Sequence, residues 1–198
     1  MRDPWEWEEE DLEALVASGV QESLTLDYKR CAALDKQNPK RAADLSKDVS
    51  AFANSAGGVI VYGVVEVNNL PTAVDQGYDP SELTREWIEQ VINSSIQRRV
   101  DGVRIEQVPL NKNSPGQVAY VVAVAQSRRA PHMATDHVFY KRFNAEVLGA
   151  QGRWTEGPGP AVAGWSTCAR SGACREPSIV NIADSRHRLW QRRRPGGC

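Results

Sequence analysis

The sequence predicts an α+β (α/β) fold: a mixed, largely antiparallel sheet of about five strands with about three helices, followed by an irregular C-terminal tail. Three observations carry this expectation. Apolar residues recur at helical spacing in three separate stretches. Other stretches alternate between apolar and polar residues, or are almost wholly apolar, over lengths suited to strands. Both kinds of periodicity stop near residue 149, where Gly, Pro, Trp, Arg and Cys take over. The expected division is a folded domain over residues 1–148 and an irregular, basic, disordered tail over 149–198.

Each element has its own warrant. Residues 8–18 crowd acids into a first turn, where the helix dipole favours them, and place Leu12, Leu15 and Val16 on one face before a stop at Gly19. Residues 23–30 alternate, with Leu24, Leu26 and Tyr28 on one side and Thr25, Asp27 and Lys29 on the other, as in a half-buried strand. A helix is expected from about Pro39 to Ser55, with Leu45, Val49, Phe52 and Ala53 as its apolar stripe and a left-handed exit at Gly57 or Gly58. Val59–Val67 is nearly all apolar and reads as one central strand buried on both faces. Leu70–Pro80 reads as a loop. A helix over Ser81–Arg99 follows, capped near Asp79 or Ser81, with Leu83, Trp87, Ile88, Val91, Ile92 and Ile96 inward. Val103–Leu110 and Gln117–Ala125 are joined by a Pro/Gly/Asn turn, the signature of an antiparallel hairpin. His137–Arg142 is the last expected strand.

Charge bounds the function. The chain of 198 residues has a net charge of −1, but the two parts differ. Residues 150–198 hold eight Arg, no Lys and three acids, for +5, which leaves 16 basic and 22 acidic side chains, or −6, on the first 149. A net acidic body excludes loose, whole-surface binding to nucleic acid, because phosphate affinity comes from clustered Lys and Arg. Any such contact must use a local basic patch. Cys31, Cys168, Cys174 and Cys198 form no C-x-x-C and read as free thiols of a reducing compartment. The start of the chain lacks the apolar run of a secretory signal, and no apolar stretch reaches membrane-spanning length. A cytoplasmic protein with no membrane partner is therefore expected.

Three ordered segments carry a resemblance to a known family. The first is Glu22-Ser23-Leu24-Thr25-Leu26-Asp27-Tyr28-Lys29. The second is Ala51-Phe52-Ala53-Asn54-Ser55-Ala56-Gly57-Gly58, continuing to Gly63-Val64. The third is the loop Gln126–His132 followed by Tyr140-Lys141-Arg142. In this order the chain resembles the Schlafen AlbA_2 domain over about residues 8–147. The resemblance implies a nucleic-acid (DNA or RNA) binding domain of a regulatory or defence protein, with a role such as transcription regulation. Such domains usually continue past the Tyr-x-Arg strand into another structured segment. Here the irregular tail follows instead, as a change of reading frame would produce.

Two sets of residues are candidates for function. Schlafen proteins include RNA-cleaving members that use three carboxylates, and the matching positions here are Glu22, Asp27 and Glu66. Such a trio would hold a divalent ion, Mg²⁺ or Mn²⁺, in an endoribonuclease. A five-residue step along a flat strand covers roughly 16 Å and changes face, so Glu22 must fold back from a turn to meet Asp27. The plainer reading of the same acids is a turn cap, an ion pair with Lys29 and an exposed strand end. For phosphate, the candidates are Lys29, Arg128, Arg129, Lys141 and Arg142, with Tyr140 available to stack on a base. Alternation along a strand allows only one of Lys141 and Arg142 to face a given ligand. Arg98 and Arg99 read as partners of a helix dipole, and His132 as a loop histidine. No Walker sequence accompanies Gly57-Gly58, so ATP is not expected. A homodimerisation module without a nucleic-acid role is the further alternative, favoured by the acidic body.

Overall fold

The computed structural model describes residues 2–150, together with a short strand pair, Thr167–Cys168 with Cys174–Arg175. The rest of the expected tail lies outside the described residues. Among the described residues the fold is α+β, with three α-helices and two layers of packing on a central sheet.

The central sheet has four strands in the order β1-β2-β6-β5: Leu26–Lys29, Gly57–Tyr62, Val118–Ala125 and Val103–Pro109. β1 and β2 are parallel, with α2 (Arg41–Ala53) as the crossover between them. The other pairings are antiparallel, as expected of the β5–β6 hairpin. Alternation along β2 and β6 sorts side chains into two cores. On one face Ile60, Tyr62, Tyr120, Val122 and Val124 pack under α2 and α3 (Arg85–Ser95). On the other, Val61, Ala119 and Val121 pack against Leu12 and Leu15 of α1 (Glu9–Ala17) and against Tyr28 and Val64. The stripe Leu45, Val49, Phe52 and Ala53 is fully buried.

Several boundaries differ from the sequence reading. The apolar run Val59–Val67 is two strands. The chain breaks at Gly63, whose φ of +114° suits only glycine, and Val64–Val67 (β3) leaves the sheet to pair with Leu70–Val74 (β4). A loop was expected where β4 lies. Asn68 and Asn69, both at positive φ, make the two-residue turn between them. α3 begins at Arg85, because Asp79 and Ser81 close a turn of their own and Thr84 Oγ1 accepts the Trp87 N–H at 3.1 Å. β7 (Phe139–Phe143) pairs with β8 (Glu146–Ala150), a strand that the sequence reading lacked and that runs past residue 148. This hairpin lies on the outer side of α2, where Tyr140, Val138 and Ala134 pack on Ala51.

Candidate functional site

The three segments that carry the family resemblance meet in space, and hydrogen bonds explain why. Asn54, just past the end of α2, donates from its amide to the carbonyls of His132 and Tyr140, both at 2.8 Å. Its amide oxygen accepts the His132 N–H at 2.7 Å. Ser55 Oγ accepts the Arg142 N–H at 2.8 Å. Arg142 then reaches the first segment: Nη2 donates to the Ser23 carbonyl at 2.8 Å, and Nη1 lies 3.5 Å from Asp27 Oδ1. Its guanidinium stacks 4.3 Å from the Phe52 ring centroid. These residues lock β1, α2 and β7 together.

That lock corrects two sequence expectations. Arg142 is 2% exposed and both its terminal guanidinium nitrogens are engaged inside the protein, so it is no phosphate contact. Tyr140 is buried, bonded to Asp136 and covered by Lys47, whose Nζ lies 5.6 Å from the ring centroid; it offers no face to a base. His132 is also buried, with Nδ1–H donating to the Arg98 carbonyl at 2.6 Å, and burial holds its pKa below the usual value.

Beside the lock lies a trough of about 490 Å³. Glu22, Asp27 and Glu66 all line it, as do Asp44, Asp48 and Glu146. Glu22 does fold back: its Oε1 accepts the Tyr28 N–H at 3.0 Å, while its own N–H donates to the Asn69 carbonyl at 2.8 Å. The β3–β4 hairpin brings Glu66 over, with Oε2 accepting the Asn69 N–H at 3.2 Å. Among the described residues, the basic ones lining it are Lys29 and Lys47. Lys29 forms an ion pair with Asp27, so it is a partner within the trough, and burial of that pair leaves it little reach to an outside phosphate. Burial and the nearby charge of Asp27 push Glu22 up to about 7, with Glu66 adding to the shift. Burial also pushes Asp48 up to about 6 against the pull of Lys29.

These acids converge without forming an ion cage. Among the described residues no group of three His, Cys, Asp or Glu side chains is arranged to hold a metal ion. Asp27 is already neutralised by Lys29 and Arg142, and Glu22 and Glu66 each give an oxygen to a backbone N–H. The residues as they stand do not fit Mg²⁺ or Mn²⁺, which need several free oxygens on one centre.

The remaining basic candidates gather elsewhere. Arg128 and Arg129 are exposed on the loop after β6, anchored by the Ser127 N–H to the Ala53 carbonyl at 3.0 Å. Sequence reasoning missed their companions. Arg98 donates to the Arg129 carbonyl at 3.2 Å, and Arg99 is next to it on the exposed segment after α3. Arg129 also pairs with Asp101 at 3.2 Å. Phe139, which shares a small pocket with Arg98, Pro131 and Met133, starts the outward face of β7. Lys141 and Phe143 continue that face, both exposed, Phe143 by 68%. No signal in the sequence joins residue 98 to residue 129; the contact is tertiary.

A family model, described as Schlafen, AlbA_2, matches residues 22–150, the larger part of the chain. No curated protein matches. Among solved structures the chain is similar to the DIP2311 protein from Corynebacterium diphtheriae, with 18% identity and a TM-score of 0.45, over 70% of this chain and 28% of that one. The chain thus spans under a third of that protein's length, and so distant a likeness bears on no function. No helix of the described residues is long and apolar enough to cross a membrane.

Proposed function

We propose that this chain, which belongs to the Schlafen AlbA_2 family, is a nucleic-acid-binding domain that grips phosphate through Arg98, Arg99, Arg128 and Arg129, with Lys141 extending the contact. It would serve as the recruiting part of a regulatory or defence protein. One observation carries the reading: the Arg98 side chain bonded to the Arg129 carbonyl juxtaposes two arginine pairs on an otherwise acidic body. Two juxtaposed arginine pairs concentrate positive charge there although Asp101 and Glu89 are nearby, and their forked donors suit phosphate. Phe143 supplies the exposed ring that buried Tyr140 does not.

Binding of this kind is weakly sequence-specific and salt-sensitive. Fluorescence anisotropy with labelled RNA and DNA at low and high salt tests it. Replacing Arg98 and Arg128 by Ala is expected to reduce the log K against log salt slope by about 0.7–0.9 per lost contact. Absence of binding at low salt removes the proposal and leaves a dimerisation module.

A second reading, an endoribonuclease, has the shared trough of Glu22, Asp27 and Glu66 in its favour and the absence of an ion cage among the described residues against it. Its test is RNA incubated with Mg²⁺ or Mn²⁺ and the Glu66→Gln protein. Cleavage lost in the variant supports it; intact RNA with the unaltered protein rejects it.

A further inference from the structure

The trough is a site without an obvious anion to bind, and its lining says what it would take. Six carboxylates face two lysines. Lys29 is shared: it pairs with Asp27 and also faces Asp48, which is 6% exposed. Arg142, behind the wall, serves Asp27 alone among these acids. Lys47 lies over the Tyr140 ring. Negative charge is therefore in surplus overall: Asp27 and Lys29 of β1 balance, while Glu22 before β1, Asp44 and Asp48 against Lys47 on α2, Glu66 on β3 and Glu146 on β8 leave an excess of acid.

A second, independent observation points to a ligand. Tyr62 also lines the trough; it is the register partner of Lys29 and so shares its sheet face. Tyr62 is 1% exposed, and its hydroxyl has no hydrogen-bond partner. A buried hydroxyl left unpaired is costly, and most such groups in folded proteins have a partner. Its burial, and after that the acids beside it, keep the phenol protonated, which leaves a lone pair able to accept an N–H.

The shape excludes the compact cation. A metal ion needs several free oxygens on one point, and no three acids of the described residues are so arranged around this cavity of about 490 Å³. That volume lies within the roughly 300–1,000 Å³ common for small-molecule sites. An elongated or forked cation with several N–H donors can satisfy carboxylates and a phenol that are not on one point.

We propose that the trough binds an organic cation, through alkylammonium or guanidinium groups that engage the carboxylates of Asp48 and Glu66 and the hydroxyl of Tyr62. The same chemistry is offered by a free polyamine and by an arginine or lysine side chain of a peptide. The site is separate from the arginine cluster, so the two readings fail independently.

Calorimetry on the full chain at low salt tests it with two probes, spermidine and a short blocked peptide containing one arginine. One-to-one binding of either probe is expected, and which probe binds identifies the source. Tyr62→Phe is expected to weaken binding about fivefold, the loss of one hydrogen bond, without lowering the melting temperature. The Asp44→Asn, Glu66→Gln double variant, altered only at the rim, is expected to weaken it about tenfold or more while nucleic-acid binding persists. Failure of both probes to bind overturns the proposal. So does an affinity that neither variant changes, and so does full displacement of spermidine by Mg²⁺ at matched ionic strength, which would mark an unspecific acidic patch.

Discussion

The two ends of α2 carry opposite electrostatics by opposite means. At the N-terminal half, Asp44, Lys47 and Asp48 line a trough in which acids outnumber bases and charges are half-buried or engaged with one another. At the C-terminal end, the Ala53 carbonyl anchors a loop whose arginines are exposed and crowd others of the same sign. Buried charge is costly to leave unpaired, so the trough neutralises itself internally or by taking up protons. Exposed charge is screened by water, so like charges tolerate each other until a polyanion arrives. A body of −6 thus contains a place for each sign, and the net figure is silent on both. What couples the two ends is the lock of Asn54, Ser55 and Arg142.

Breaking the lock at its charged member should have the largest effect. Arg142→Ala removes the donor to Ser23 and the ion pair to Asp27, and leaves Lys29 as the remaining ion-pair partner of buried Asp27. Loss of one partner of a buried pair typically costs about 3–5 kcal/mol. For a chain of this size that lowers the melting temperature by roughly 10 °C. A drop of only a degree or two in calorimetry would show that the pair does not hold the regions together.

Asn54→Ala should come next and should separate the two ends. It deletes three hydrogen bonds that hold the His132 loop and β7, about 2–3 kcal/mol at roughly 1 kcal/mol each. The arginine-bearing loop is attached there, whereas Asp27, Asp44, Asp48 and Glu66 line the trough from β1, the first half of α2 and β3. Nucleic-acid affinity is expected to fall and spermidine affinity to stay. Equal loss of both in paired titrations would mean the ends are not independent.

Much of this arrangement was legible in the sequence, and the misses have physical reasons. Helical spacing found α1 and α2, and strand periodicity found β1, β5 and β6, because each has one clear apolar face. Counting residues from Glu22 to Asp27 showed that Glu22 had to fold back, as its bond to Tyr28 confirms. The β3–β4 hairpin was hidden because an unbroken apolar run gives no sign of a turn at Gly63; Asn68-Asn69 was the signal available. Alternation set Lys141 and Arg142 on opposite faces, but it does not say which face another element will cover. The hairpin with β8 and the α2 surface decided that Arg142 went inside.

The exposed ring of Phe143, beside Ser23 and Glu146 rather than at the arginine loop, tests how far a contact extends along β7. Phe143→Ala should leave stability unchanged, since the ring is 68% exposed. It should weaken single-stranded nucleic acid by about 1–3 kcal/mol, the worth of one stacked base. An unchanged affinity in anisotropy would confine the contact to phosphate and the arginines.

The smallest expected effect is a pH dependence that the trough alone should produce. Burial, with Asp27 and Glu66 adding to it, pushes Glu22 up to about 7, and burial pushes Asp48 up to about 6. Between the ordinary carboxylate range and those values, the folded chain holds protons that the unfolded chain has released. Stability then falls as pH rises, with a slope set by the difference in bound protons. The fall should run from about pH 4 to about pH 7 and flatten above, because both acids are then ionised in either state. Glu9 acts in the other direction at lower pH. Burial raises its pKa, but the backbone N–H groups of Lys112 and Asn113 outweigh burial and hold the carboxyl below its usual range. Its contribution is present above the ordinary range and is lost as pH falls through the lowered value. His132, held below its usual value by burial, likewise loses stability as pH falls, so it and Glu9 both oppose the slope of the trough acids. Because Glu22 is partly exposed, its share is modest, and Glu22→Gln should make the decline shallower without abolishing it. A melting temperature that rises steadily from pH 5 to pH 8 would mean that the trough acids are ionised at no cost, as they would be with a cation already among them.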